Sequence, residues 1–282
     1  MLTTRASVRL LGPDDRDEFL ALTAEDPVVN VFADYRARVT NLDPRWLGGE
    51  MWGRFEGDRL VAACHMGANL VPVQCTAEDV TCFAEPALAR VRSTATIVGP
   101  HPVVAALWEA VGDRWSAPRE TRWRQPHLQI DRDPDVLADP EVRQTTPADL
   151  GGLYPACVAM YTEEVGVSPE AAGGKDLYRA RVQQLIARGW SFARFDESGR
   201  VIFKAEVACA TPYAAQVQGV YVHPDRRGEG LAVGGMAAVV ALVRDRIAPT
   251  VSLYVNEWNA PARAAYDRVG FTESTRLSTL MF

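Results

Sequence analysis

The sequence predicts an α/β (α+β) protein made of two lobes, and three observations point there. Residues 52–61 (Trp-Gly-Arg-Phe-Glu-Gly-Asp-Arg-Leu-Val) and 192–201 (Phe-Ala-Arg-Phe-Asp-Glu-Ser-Gly-Arg-Val) read as the same hairpin, set about half a chain apart in 282 residues. A β-branched and aromatic run at 220–222 passes through a Gly-rich turn straight into a small-residue helix from Leu231 to about Arg244. Between the two hairpins, residues 131–140 (Asp-Arg-Asp-Pro-Asp-Val-Leu-Ala-Asp-Pro) have the Asp and Pro content of a linker. The expected lobes are therefore 1–130 and 141–282, joined by 131–140.

In the first lobe the hairpin leads to a strand at 69–73, then to Gln74-Cys-Thr-Ala-Glu-Asp79. That turn has no glycine and no arginine, and its two carboxylates would repel a phosphate. A strand and helix over 96–112 parallel those that end the second lobe, with Trp108 falling where Tyr266 falls. The second lobe opens with a short strand and a capped helix start at 142–150. A helical region to about Gly189 comes next, interrupted near 166–174, and then the hairpin at 190–209 and a strand at 215–222. After the small-residue helix come a buried strand at 251–255 and a helix that Asn259 caps, Pro261 starts and Gly270 ends. The tail 274–282 can close this second sheet as a last strand.

Composition narrows the function. Hydrophobic residues are 48% and charged residues 23%, as in a soluble globular protein, and a net charge of −6 gives no support to a nucleic-acid partner. No apolar run approaches a membrane span and the start has no signal-peptide core, so the expected location is cytoplasmic. Five scattered cysteines without a Cys-x-x-Cys fit free thiols in a reducing compartment. The four histidines share no metal-ligand spacing, and no metal is expected.

The turn Arg226-Arg-Gly-Glu-Gly-Leu-Ala232 is the first chemical signal. Gly228 and Gly230 let the backbone bend with no Cβ in the way, so that successive N–H groups converge on one point in front of a helix N-terminus. Arg226 and Arg227 add positive charge, and the ligand this suits is a phosphate or pyrophosphate. The Walker pattern needs a Gly-Lys-Ser/Thr that is missing, and the dinucleotide fingerprint needs a third glycine where Val233 stands.

Two motifs in order, Arg227-x-x-Gly230-x-Ala232 and Asn259-x-x-Ala262-x-x-x-Tyr266-x-x-x-Gly270-Phe271, resemble the GNAT superfamily of acetyl-coenzyme A-dependent N-acetyltransferases. The wider chain resembles two-lobed bacterial members whose N-terminal half is an uncharacterised domain. The resemblance implies two GNAT-like lobes, each a mostly antiparallel mixed sheet flanked by helices, with the first lobe degenerate and acetyl-CoA bound by the second. It implies that backbone groups of Val220, Tyr221 and Val222 hold the pantetheine arm like an added strand. It also implies that the N–H groups of Arg227, Gly228, Glu229, Gly230, Leu231 and Ala232 hold the pyrophosphate, and that Asn259 bonds the pantetheine or caps its helix. Tyr266 resembles the general acid that protonates the departing thiolate.

The base departs from the family pattern. Where many members place a Glu, this chain has Gln216, and a carboxamide cannot take a proton from an ammonium. Three options stand at this point: Glu206, which strand alternation puts on one face with Lys204; Glu163 or Glu164, in the acidic stretch where acceptors bind; or an acceptor that ionises without help. That acidic stretch favours a cationic acceptor, either a small-molecule amine or a protein lysine. A non-catalytic acyl-CoA sensor is the alternative that Gln216 keeps open.

Overall fold

A computed structural model describes residues 6–91 and 93–282. In chain order the strands are β1 (Ala6–Leu10), β2 (Gly49–Glu56), β3 (Arg59–Gly67), β4 (Asn69–Val73), β5 (Thr96–Pro100), β6 (Glu120–Ile130), β7 (Arg143–Gln144), β8 (Ser191–Phe195), β9 (Val201–Ala210), β10 (Ala214–Val222), β11 (Thr250–Tyr254) and β12 (Thr272–Met281). The helices are α1 (Arg16–Thr23), α2 (Val31–Thr40), α3 (Pro44–Leu47), α4 (Ala84–Leu88), α5 (His101–Val111), α6 (Leu150–Val165), α7 (Lys175–Ala187), α8 (Leu231–Arg246) and α9 (Ala260–Val269). Among the described residues no helix is long and apolar enough to cross a membrane. The chain divides into two compact units. Of the described residues, one holds those from 6 to 127 with 254–258 and 273–282, and the other holds 128–253 and 259–272.

The first unit orders its strands β1-β2-β3-β4-β5-β12-β6. Strand β3 is buried on both faces: Ala62, Cys64 and Met66 join one apolar cluster with Leu70, Phe83, Ile97 and Leu107, while Leu60 and Ala63 join another with Phe19, Leu22 and Met51. Two packed faces make this a sheet covered by helices on either side. Strand β12 pairs antiparallel with β5, from Leu277 opposite Pro100 to Met281 opposite Thr96. The tail therefore completes the first unit's sheet and not the second's. The contacts of Leu280 and Phe282 with that first cluster supply the reason, since burying them there removes apolar surface from water.

The second unit orders its strands β11-β10-β9-β8-β7. Its element sequence repeats the first unit's: a short strand, helices, an antiparallel hairpin, a third strand, a helix, a parallel strand and a final helix. Strands β2, β3, β4 and β5 pair antiparallel, antiparallel and parallel, and so do β8, β9, β10 and β11. The sequence repeat between the two hairpins is thus a repeat of topology. Residues 131–140, read as a linker, are pinned to the second unit. Asp139 pairs with Arg194 at 2.7 Å, Asp133 pairs with Arg244, and the Asp135 N–H donates to the Val269 carbonyl. Two of the aspartates in its Asp- and Pro-rich stretch are held by these arginines.

Candidate active site

Three local features of the second unit converge on β10 and the two helices that come after it. The first is a splay. Strand β10 pairs with β11 only at Ala214, Ala215 and Gln216, opposite Thr250, Val251 and Ser252. Beyond Gln216 the register with β11 ends, while on the other edge β10 stays on β9 as far as Val222, opposite Phe203. The β11-side backbone of Val220, Tyr221 and Val222 is thereby left outside the ladder. A register shift between Gln218 and Tyr221 marks a bulge, and Gly219 within it has φ +60°. A Cβ at Gly219 would lie 2.9 Å from Met160 Cε and 3.1 Å from Lys204 Nζ, both ends of flexible side chains, so the positive φ is what most requires glycine here. A glycine inside an apolar strand is the sequence signal that could have found this bulge.

The second feature is the turn. Gly228 and Gly230 have φ +83° and +80°, in the left-handed region that other residues enter at a cost. A Cβ on either would meet nothing within 4 Å, so conformation and not crowding dictates both glycines. Among the described residues no group accepts a backbone hydrogen bond from the N–H of Gly228, Glu229, Gly230, Leu231 or Ala232. These five donors stand at the N-terminus of a 16-residue helix, whose dipole adds partial positive charge. Such an array fits the phosphate end of a coenzyme. Glu229 turns its carboxylate to Arg226, which leaves its N–H usable. Arg227 donates from Nε to the Val222 carbonyl at 3.1 Å and from Nη2 to Glu163 Oε2 at 2.7 Å. Glu163 on α6 therefore belongs to the arginine of the turn.

The third feature is α9. The Asn259 side chain accepts from the Ala262 N–H at 3.2 Å, making it the helix cap. Tyr266 is 6% exposed and lies edge-on to Phe271, with ring centroids 5.9 Å apart. Burial pushes its phenol well above the ordinary tyrosine range, and the nearby charge of Glu164 acts in the same direction. Among the described residues nothing hydrogen-bonds its hydroxyl.

Glu206 is placed differently from a base awaiting an amine. It is 4% exposed, with Lys204, fully buried, donating to Oε2 at 3.1 Å and Gln218 donating to Oε1 at 2.9 Å, while Arg181 lies 3.8 Å away. Burial alone would raise its carboxyl, but Lys204, Gln218 and Arg181 outweigh that and hold it below the usual carboxylate range. Strand alternation correctly put Lys204 and Glu206 on one face, and the pair is a buried ion pair at the bulge. That geometry revises the expectation of Glu206 as proton acceptor. Gln218, its amide partner, was not singled out in the sequence.

Residues 182–271 match the family model for the acetyltransferase (GNAT) family, and residues 49–153 match that for a domain of unknown function, DUF4081. A search of curated proteins gives no match. Solved structures superpose over almost the whole chain. A GCN5-related N-acetyltransferase from Sphaerobacter thermophilus is 16% identical with a TM-score of 0.63, covering 100% of this chain and 97% of its own. A tandem GNAT protein from the clavulanic acid biosynthesis pathway is 18% identical with a TM-score of 0.59, covering 98% of each chain. A GNAT-family acetyltransferase from Colwellia psychrerythraea is 14% identical with a TM-score of 0.59, covering 98% of this chain and 99% of its own. At such identities the likeness is one of fold.

Proposed function

With residues 182–271 belonging to the acetyltransferase (GNAT) family, we propose that this protein transfers the acetyl group of acetyl-CoA to a primary amine of a small molecule or a protein by direct attack in a ternary complex. The observation that supports this most is the five unpartnered N–H groups of Gly228–Ala232 standing beside a strand whose edge is free from Val220 to Val222. The turn and Arg227 bind the pyrophosphate, and the free edge of β10 takes the pantetheine. Acetyl-CoA supplies the activated thioester. Tyr266 is a neutral phenol at neutral pH, burial disfavours its phenolate further, and it is available to protonate the thiolate as it departs.

Lys204 and Gln218 hold Glu206, and Arg227 holds Glu163, so the proton lost by the ammonium passes to solvent or to the acidic end of α6. Free thiol released from acetyl-CoA, monitored with a panel of small amines and lysine peptides, tests the activity. Tyr266→Phe should retain coenzyme affinity by titration calorimetry and lower kcat by about 10²-fold, the usual size of general-acid catalysis. Equal turnover in the variant would return Tyr266 to packing alone. Tight acetyl-CoA binding with no thiol release from any acceptor would favour the sensor reading.

A further inference from the structure

Outside this site, the first unit holds a pocket whose walls suit a ligand. It is an open cleft of about 220 Å³ lined by Arg122, Trp123, Gln125, Asn256, Glu257 and Trp258 among others. Two indoles stand at its mouth, with Trp258 73% and Trp123 40% exposed. Arg124, between Trp123 and Gln125 on β6, has φ +54°, a strained value for a residue with a side chain. A kink of this kind re-aims the neighbouring side chains of a strand. The His101 ring holds the Trp123 indole edge-on at 5.6 Å.

The floor is polar and buried. Thr279 Oγ1 donates to Gln125 Oε1 at 2.7 Å, and Gln125 Nε2 donates to Asn256 Oδ1 at 2.8 Å. Gln125 is 3% and Asn256 5% exposed. This relay fixes the Asn256 amide and consumes its oxygen. Its Nδ2 is not sealed from water and has no acceptor among the described residues, so its two N–H donors are available at the pocket. The charges at the rim are already balanced, Arg122 by Glu120 at 2.7 Å and Glu257 by Arg276 at 3.5 Å, so no net field selects an ion.

We infer that this pocket binds a neutral pyranoside. A six-membered sugar ring has C–H faces that lie against indoles and a rim of hydroxyls that take donors from a planar amide. Two exposed tryptophans around a preset Asn256 donor match both halves. Binding here is read without coenzyme, so its failure is distinguishable from failure of the proposed transfer reaction.

Saturation-transfer NMR of the full chain with the methyl glycosides of glucose, galactose, mannose and N-acetylglucosamine tests this. At least one should show transfer centred on its ring C–H protons, with a Kd readable by tryptophan fluorescence. Trp258→Ala removes an exposed side chain and should weaken that binding at least tenfold. Asn256→Ala should do the same, and Trp46→Ala, at the exposed tryptophan of α3, should leave it unchanged. No transfer to any glycoside, or transfer that persists in Trp258→Ala, overturns the assignment. So does binding of indole or benzyltrimethylammonium by a pocket that takes none of the sugars.

Discussion

Lys204 and Glu206 sit in a strand that is otherwise apolar, and both are buried. Each is charged because of the other. Burial would lower the Lys204 ammonium, but the Glu206 carboxylate outweighs burial and raises it. An ion pair so placed returns little net stability, because desolvation offsets attraction, yet removing one partner strands the other. Lys204→Met should therefore cost about 3–5 kcal/mol. The double change Lys204→Met with Glu206→Leu should recover most of that loss. Urea denaturation of both variants measures it, and a double variant as weak as the single one would deny the pair its coupling. Alternation along β9 made the shared face of Lys204 and Glu206 legible in the sequence. Their burial was not legible, because it depends on α6 and α7 covering that face, and Met160 and Arg181 come from those distant elements.

At the scale of elements, local chemistry was the readable part. The break between α6 and α7 falls where glycines at 166 and 173–174 put it, and α9 runs from its Asn259 cap to Gly270 at φ +104°. The turn before α8 was legible for the same reason, and its glycines answer to conformation rather than to crowding. With nothing within 4 Å of a Cβ at Gly230, only the φ of +80° resists substitution. A β-branched residue there pays roughly 1–2 kcal/mol for left-handed backbone and tends to leave it, taking the N–H array out of alignment. Asn tolerates that region far better. Gly230→Val should thus lose acetyl-CoA affinity by tenfold or more, while Gly230→Asn should keep most of it. Calorimetry on the two variants decides between conformation and space, since crowding would penalise both alike.

For the whole molecule, the two units share one order of elements but differ in the turn after their third strand. Strand β10 runs into free N–H groups and glycines, whereas β4 runs into Gln74 with φ +50° and two carboxylates. The proposed function therefore expects one acetyl-CoA per chain by titration calorimetry, and two equivalent sites would contradict it. The placement of the last strand could not be read locally, since residues 272–281 have the same strand propensity whichever sheet receives them. Pairing at such distance in sequence is decided by packing, and here Phe282 lies 5.5 Å from the Trp115 ring and 5.9 Å from the Trp108 ring, with Leu280 fully buried beside Ile97. Leu280→Ala should then cost about 2–5 kcal/mol, the usual range for a buried leucine. Hydrogen exchange locates the damage. Removing residues 274–282 should strip protection from Thr96–Pro100, whose partners in β12 are gone, and leave Val201–Ala210 protected on both edges by β8 and β10. Loss of protection in Val201–Ala210 with Thr96–Pro100 unaffected would mean that the tail completes the second sheet after all.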